Sequence, residues 1–215
     1  MKPSLFQQLY GITPERSSDP KLFDDVVQAL NNGLRWLQYR DKTSSPEQKI
    51  RRALKLRDMT KAAGATLIIN DSVDLCLNVG ADGVHLGRGD GDLEQARQRL
   101  GTEYILGATC HNDIRLAEKA ALYADYLAFG AVFPSRTKPH AIQVSLNIFA
   151  AVKLYGKPVV AIGGLTLQNC QTVLEAGADA LAVVQGLFDV ADIGETTRNW
   201  LQQIQCIQTT FGSKK

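Results

Sequence analysis

The chain has 215 residues, 45% of them apolar and 21% charged, enough to bury one sizeable core and inconsistent with disorder over the bulk of its length. Its 24 basic and 22 acidic residues leave a net charge of only +2, without the basic stripe of a nucleic-acid binder. No apolar run is long enough to span a bilayer, Met1-Lys2-Pro3-Ser4 does not open a signal peptide, and Cys76, Cys110, Cys170 and Cys206 follow no zinc spacing, so the expectation is a cytoplasmic protein with free thiols and neither a membrane nor a nucleic-acid partner.

A first strand is expected near Gln8-Leu9-Tyr10-Gly11-Ile12. After it one junction recurs: a helix end, a glycine, and a short apolar strand. It appears at Gly33 before Leu34 to Leu37, at Gly64 before Ala65 to Ile69, at Gly80 before Gly83-Val84, and at Gly101 before Tyr104-Ile105-Leu106. A weaker form, with Ala124 in place of glycine, precedes Tyr126-Leu127; two more follow at Gly156 before Val159-Val160 and at Gly177 before Ala180-Leu181. Glycine suits the residue after a helix because left-handed backbone angles carry no steric cost there. Between junctions, Pro46 to Ala63 places Ile50, Ala53, Leu54 and Met59 at helical spacing, Asn112 to Leu122 begins on Asn112 as N-cap, and Ile193 to Ile207 carries Trp200, Ile204 and Ile207. A frayed tail is expected over 208–215. Seven junctions and the first strand make eight strands alternating with helices, the arithmetic of a single-domain (β/α)8 barrel of the α/β class over 1–215. A doubly wound open sheet is the alternative, but no GxGxxG follows the first strand.

A barrel builds its function at the C-terminal ends of its strands. After the second strand comes Gln38-Tyr39-Arg40-Asp41-Lys42, where Arg40 and Lys42 alternate along an extended chain and form a phosphate clamp or, read blandly, a solvated charged loop. Asp71 follows the third strand and Asp90 the fourth. Two carboxylates on neighbouring strand ends can share a magnesium ion with phosphate oxygens; taken singly, Asp71 reads as a helix cap and Asp90 as a turn former. Thr109-Cys110-His111 follows the fifth strand. Adjacent residues face opposite ways, so Cys110 reads as a small buried thiol rather than a nucleophile, His111 as a base or a loop hydrogen-bonder, and His85, within a strand, as structural. The loop Phe133-Pro134-Ser135-Arg136-Thr137-Lys138-Pro139 offers hydroxyls at Ser135 and Thr137 and a third cation at Lys138, while His140 reads as solvated. Gly163-Gly164 after the seventh strand and Val184-Gln185 after the eighth occupy the usual amide-built phosphate site of such barrels. Three cations against two carboxylates, plus one divalent metal, would neutralise a pyrophosphate, which implies a diphosphate substrate, a monophosphate substrate, and metal-assisted displacement of pyrophosphate.

These motifs resemble the thiamine phosphate synthase family over roughly Leu9 to Phe188: Gln38 to Lys42, Ile69-Asn70-Asp71, Gly80 to Gly87 running on to Asp90, Gly130 to Pro139, and Val160 to Gly164. The resemblance implies that Gln38 holds the aminopyrimidine; that Arg40, Lys42, Asn70 and Lys138 bind its diphosphate; and that Asp71 and Asp90 hold Mg2+. It further implies that Ser135 and Thr137 lie beside the thiazole and that Gly163, Gly164 and the amides near Val184 and Gln185 hold the thiazole phosphate. It implies a dissociative reaction in which pyrophosphate leaves and the thiazole nitrogen captures the pyrimidine carbocation, with no protein nucleophile. Thr109 stands where the family usually has Ser and keeps the hydroxyl; Ser135 replaces a usual Thr, Gln185 replaces a usual Ser, and Ile142 to Leu146 lacks a usual Gly. The rival readings are a related thiazole tautomerase using His111 without metal, another phosphate-binding barrel such as an epimerase, and an inactive barrel that binds thiamine precursors. Self-association into a homo-oligomer is left open, as is a carboxylate on the thiazole.

Overall fold

The computed structural model describes residues 7–134 and 143–212. In chain order the elements are β1 (Leu9–Ile12), α1 (Asp19–Asn31), β2 (Trp36–Tyr39), α2 (Pro46–Ala62), β3 (Thr66–Asn70), α3 (Val73–Val79), β4 (Gly83–Leu86), α4 (Leu93–Leu100), β5 (Ile105–His111), α5 (Ile114–Ala121), β6 (Tyr126–Phe129), α6 (Asn147–Ala151) with a 3-10 turn over Val152–Tyr155, β7 (Val159–Ile162), α7 (Cys170–Glu175), β8 (Ala180–Val183), α8 (Gln185–Phe188) and α9 (Ile193–Gly212). Every neighbouring strand pair is parallel, and β8 pairs back onto β1, so the sheet closes in the order β1 to β8 as expected.

The pleat sorts residues into two shells. Outward positions such as Leu37, Leu67, Val84, Leu106, Leu127, Val159 and Leu181 pack under the helices. Inward positions Tyr10, Trp36, Ile68, Ile105, Tyr126, Val160 and Ala182 fill the barrel. Several helices start where a side chain satisfies their first amides: Ser45 accepts from Gln48 N (3.3 Å), Ser72 from Leu75 N (3.1 Å) and Asp92 from Gln95 N (2.9 Å).

Three boundaries differ from the sequence reading. The cap of α5 is Asp113, not Asn112, because the Asp113 carboxylate accepts from both Arg115 N (2.9 Å) and Leu116 N (3.1 Å). Strand β5 extends to His111 by pairing with β6 across a bulge between Thr109 and His111, so Thr109, Cys110 and His111 belong to the strand rather than follow it. The closing helix continues through residues 208–212, a stretch read from sequence as frayed. Its Trp200 is fully buried and donates to Gly186 O at 3.0 Å, tying α9 to α8. No helix among the described residues is long and apolar enough to cross a membrane.

Candidate active site

Along the β1–β4 side of the mouth the chain assembles an arc of charge. Thr13, buried just beyond β1, donates its amide to Gln38 O (2.9 Å), and its hydroxyl accepts from Arg40 N (2.9 Å), so the first two strand ends are stitched together. Arg40 Nη1 donates to Glu15 Oε1 at 3.0 Å, and the same carboxylate accepts from Lys42 N (3.1 Å) and Thr43 Oγ1 (3.2 Å). Lys42 reaches the other way, with Nζ 3.2 Å from Asp71 Oδ2. Arg40 and Lys42 therefore stand on one rim, each facing a carboxylate. Glu15 did not figure in the sequence-derived charge balance, and it lowers that sum by one positive charge.

Beneath this rim lies a buried ion network. Arg52, whose side chain is 2% exposed, donates to Asp41 Oδ2 (2.7 Å), Asp19 Oδ1 (2.7 Å), Ser44 Oγ (2.9 Å) and Ser17 O (3.2 Å). Tyr39 OH donates to Asp41 at 2.8 Å. Burial alone would push Asp41 up, but hydrogen bonds from Ser44, Tyr39 and Arg52 outweigh it and hold the carboxyl well below its ordinary range; Arg51 and Arg52 hold Asp19 down to about 2. The network pins the β1 and β2 loops that carry Glu15, Arg40 and Lys42.

Asp71 and Asp90 are brought together from β3 and β4. Asp71 does not cap α3; Ser72 does. Instead Asp71 sits at φ 67° and donates its amide to His85 O (2.9 Å), and its carboxyl meets that of Asp90. Burial first, and then Asp90, push Asp71 up, while Lys42 pulls it partly back. Asp90 also closes its own turn, accepting from Gly87 N at 2.7 Å. Two facing carboxyls whose charges oppose one another suit a hard divalent cation. No group of three or more metal-ligating side chains occurs among the described residues, so a cation on this pair would complete its shell with water or phosphate oxygens, as magnesium does.

Inside the barrel, below these groups, runs a polar array that the sequence reading missed. Gln38 Nε2 donates to Tyr10 OH (2.7 Å), Tyr10 OH meets Tyr126 OH (2.9 Å), Tyr126 OH meets His85 Nδ1 (2.9 Å), and His85 Nε2 meets Thr109 Oγ1 (2.7 Å). Trp36 stacks flat on Tyr10 at 3.8 Å and edge-on to Tyr126 at 5.1 Å. Gly107 makes room: a Cβ there would fall 2.1 Å from Cζ of Tyr126. Burial lowers the His85 pKa to about 4, so the ring is neutral at pH 7. Gln38, Thr109 and His85 were each singled out from the sequence; their joining through Tyr10 and Tyr126 was not. The available signal was that Tyr10, Trp36, Gln38, His85, Gly107, Thr109 and Tyr126 all occupy inward strand positions.

On the β6–β8 side the mouth is built from backbone. Gly163 has φ 106° and Gly164 φ 62°, and Cβ atoms would lie 2.7 Å from Ala131 Cα and 2.5 Å from Pro134 O. Phe133 N donates to Gly163 O (3.0 Å), clasping the loops after β6 and β7 together. Val184 precedes α8 as its N-cap, and its carbonyl accepts from Leu187 N (3.2 Å) and Phe188 N (3.0 Å). Ser135, Thr137 and Lys138, with Arg136 and His140, lie outside the described residues. Cys110 is buried on the outward face, and burial, with Asp113, pushes its thiol up to about 12, so it is an inert thiol as expected. His111 is exposed at φ 52° on the bulge.

The family described as thiamine monophosphate synthase matches residues 9–187. A protein named thiamine-phosphate synthase from Chromobacterium violaceum is 48% identical over 197 residues, covering 91% of this chain and 95% of that protein. Another of the same name from Methylobacillus flagellatus is 45% identical, covering 91% and 94%. Among solved structures, a thiamine phosphate pyrophosphorylase from Pyrococcus furiosus superposes with a TM-score of 0.83 at 29% identity, covering 93% of this chain and 96% of its own.

Proposed function

Because this chain belongs to the thiamine monophosphate synthase family and is an enzyme of thiamine phosphate synthesis, we propose that its barrel mouth joins 4-amino-2-methyl-5-hydroxymethylpyrimidine diphosphate to 4-methyl-5-(2-phosphoethyl)thiazole, or the carboxylate of that thiazole, with Mg2+-assisted release of pyrophosphate. The observation that carries the reading is the meeting of Asp71 and Asp90 beside Lys42, on the same rim as Arg40. Asp71 and Asp90 would hold the magnesium, which when bound offsets the charge growing on the leaving pyrophosphate. Arg40, Lys42 and Asn70, with Lys138 by family resemblance, bind the diphosphate. A bound diphosphate would compete with Glu15 for Arg40 and with Asp71 for Lys42. Gln38 holds the aminopyrimidine edge, and Thr109 offers a hydroxyl beside it. Ser135 and Thr137 flank the thiazole by the same resemblance, while the amides of Gly163, Gly164, Val184 and Gln185 take its phosphate; the bare backbone after β7 and β8 supports that assignment.

The leaving group departs as its charge is met by cations already in place, and the thiazole nitrogen captures the pyrimidine methylene. No residue needs to act as nucleophile, in keeping with the outward, high-pKa Cys110. The test is to mix the protein with both substrates and follow pyrophosphate and thiamine phosphate together. Equal release of the two, abolished by a chelator and restored by magnesium, is expected; turnover that resists the chelator would overturn the metal assignment. A tautomerase reading demands the reverse, with dependence on His111 and indifference to chelator.

A further inference from the structure

The five groups Gln38, Tyr10, Tyr126, His85 and Thr109 come from five different strands, and every link between them is 2.7–2.9 Å. Their directions are not independent. Gln38 gives an N–H to Tyr10, so the Tyr10 oxygen accepts and its own hydrogen must go on to Tyr126. The Tyr126 hydroxyl then gives its hydrogen to His85 Nδ1. A neutral ring that accepts at Nδ1 carries its proton on Nε2, and that proton goes to Thr109 Oγ1. The Thr109 hydrogen is left over, outside the array. We propose that this array is one polarised hydrogen-bond chain that locks the donor–acceptor pattern shown to the pyrimidine, with Tyr10, Tyr126 and His85 as positioning residues for Gln38 and Thr109. The proposal rests on the reading of Gln38 as the group that pairs with the pyrimidine.

The lock works because only the whole chain can reverse. With Nε2 turned to Tyr10, Gln38 presents its carbonyl oxygen beside its remaining N–H. That edge accepts from an exocyclic amine and donates to the neighbouring ring nitrogen, which is the pattern of a 4-aminopyrimidine. A 4-oxopyrimidine offers the opposite pattern, a carbonyl beside a ring N–H, and needs the amide flipped. Flipping it places a carbonyl against Tyr10, which must then donate to it. Tyr126 must turn as well, and the His85 proton must move from Nε2 to Nδ1. Buried side chains do not leave such groups unpaired without a large penalty. The packing opposes adjustment too, since Trp36 covers the Tyr10 ring and Gly107 leaves the Tyr126 ring no slack. Selection for the amino group is thereby stored in residues that need not touch it.

Two measurements test this. The first is 15N NMR of histidine-labelled, ligand-free protein at pH 7, with His85 assigned by comparison with His85→Asn. A neutral ring with hydrogen on Nε2 is expected; hydrogen on Nδ1, or an imidazolium, would overturn the polarity. The second is calorimetric binding of the 4-amino and 4-oxo pyrimidine diphosphates, chosen over turnover because losing the amine also alters the chemistry. The parent should prefer the amino ligand by roughly a hundredfold, the scale expected when paired polar groups are left facing like groups. Tyr126→Phe frees Tyr10 to turn and should shrink that preference by at least about tenfold, and Tyr10→Phe should do the same. Trp36→Phe, which alters packing but breaks no link, should leave the preference in place. Preference unchanged in both tyrosine variants, with thermal melts showing them folded, defeats the proposal alone. A parent protein that binds neither pyrimidine while His85 keeps hydrogen on Nε2 defeats the functional reading, and the pyrimidine role of the chain with it.

Discussion

The two sides of the barrel mouth are built from opposite materials. The β1–β4 side uses side chains: Arg40, Lys42, Asp71 and Asp90, with Glu15 3.0 Å from Arg40 and Asp71 3.2 Å from Lys42. The β7–β8 side uses backbone, with Gly163 and Gly164 packed so closely under the β6 loop that a Cβ at either would strike main-chain atoms. Charged side chains are long and free to rotate, so they need a foundation, and Arg52 supplies it from below. Backbone amides carry their own geometry and need only space. A lost charge should therefore break the first side, and an added methyl the second.

The largest expected effect is at the foundation. Arg52→Met strands Asp19 and Asp41 without their buried partner and should cost ~3–5 kcal/mol in denaturant unfolding. A loss below about 1 kcal/mol would mean that the charged side stands without it. Because Asp19 and Asp41 are held below their unfolded value of ~3.9, their contribution is present above that pH. It is lost as pH falls, through about 2 for Asp19. The acid unfolding of the parent should therefore be steeper than that of the variant.

Next comes the carboxyl pair, Asp71 and Asp90. Asp90→Asn should slow pyrophosphate release on the order of a hundredfold or more, since one electrostatic stabiliser is typically worth ~3–4 kcal/mol. His111→Asn should cost far less, because no step calls for a base. A His111 variant as slow as the Asp90 variant would show that the chemistry had been placed on the wrong group.

On the backbone side, Gly164→Ala puts a methyl 2.5 Å from Pro134 O at φ 62°. It should destabilise by ~1–3 kcal/mol and raise the KM for the thiazole phosphate while leaving pyrimidine diphosphate binding nearly unchanged. Equal loss for both ligands would erase the division between the two sides.

A smaller effect has the opposite sign. Asp71 has a raised pKa in the folded protein, so its ionisation opposes folding; the penalty is absent below the unfolded pKa and complete once pH passes the folded one. At pH 7 Asp71→Asn should raise the ligand-free Tm by roughly 1–3 °C, helped by the ease with which Asn adopts φ 67°, while activity falls sharply. A lowered Tm would mean that the Lys42 pair outweighs the repulsion. Smallest of all, Cys110→Ala should leave the rate within about twofold, the scale of a group outside the chemistry; a loss of a hundredfold would restore the thiol as a catalytic candidate.

The sequence by itself determined the barrel and proposed addresses for a site on it. Glycine after most of the helices, followed by an apolar strand, is a local signal; once the barrel is read, chemistry is expected at strand ends, which is why Gln38, Arg40, Lys42, Asn70, Asp71, Asp90, Gly163 and Gly164 could be named as candidates. Inward and outward faces were also legible from alternation, which separates Thr109 from Cys110. Partnership was not legible. Glu15 meets Arg40 across 25 residues, Arg52 meets Asp19 across 33, and Tyr10 meets Tyr126 across 116. Only the closing of β8 onto β1 and the inward tilt of side chains decide which polar groups finish within 3 Å of one another. That decision turns a set of plausible residues into paired charges, two facing carboxyls, and one continuous array of hydrogen-bonded side chains. A one-dimensional pattern records which face a residue takes, while the distance between two faces exists only after the barrel has closed.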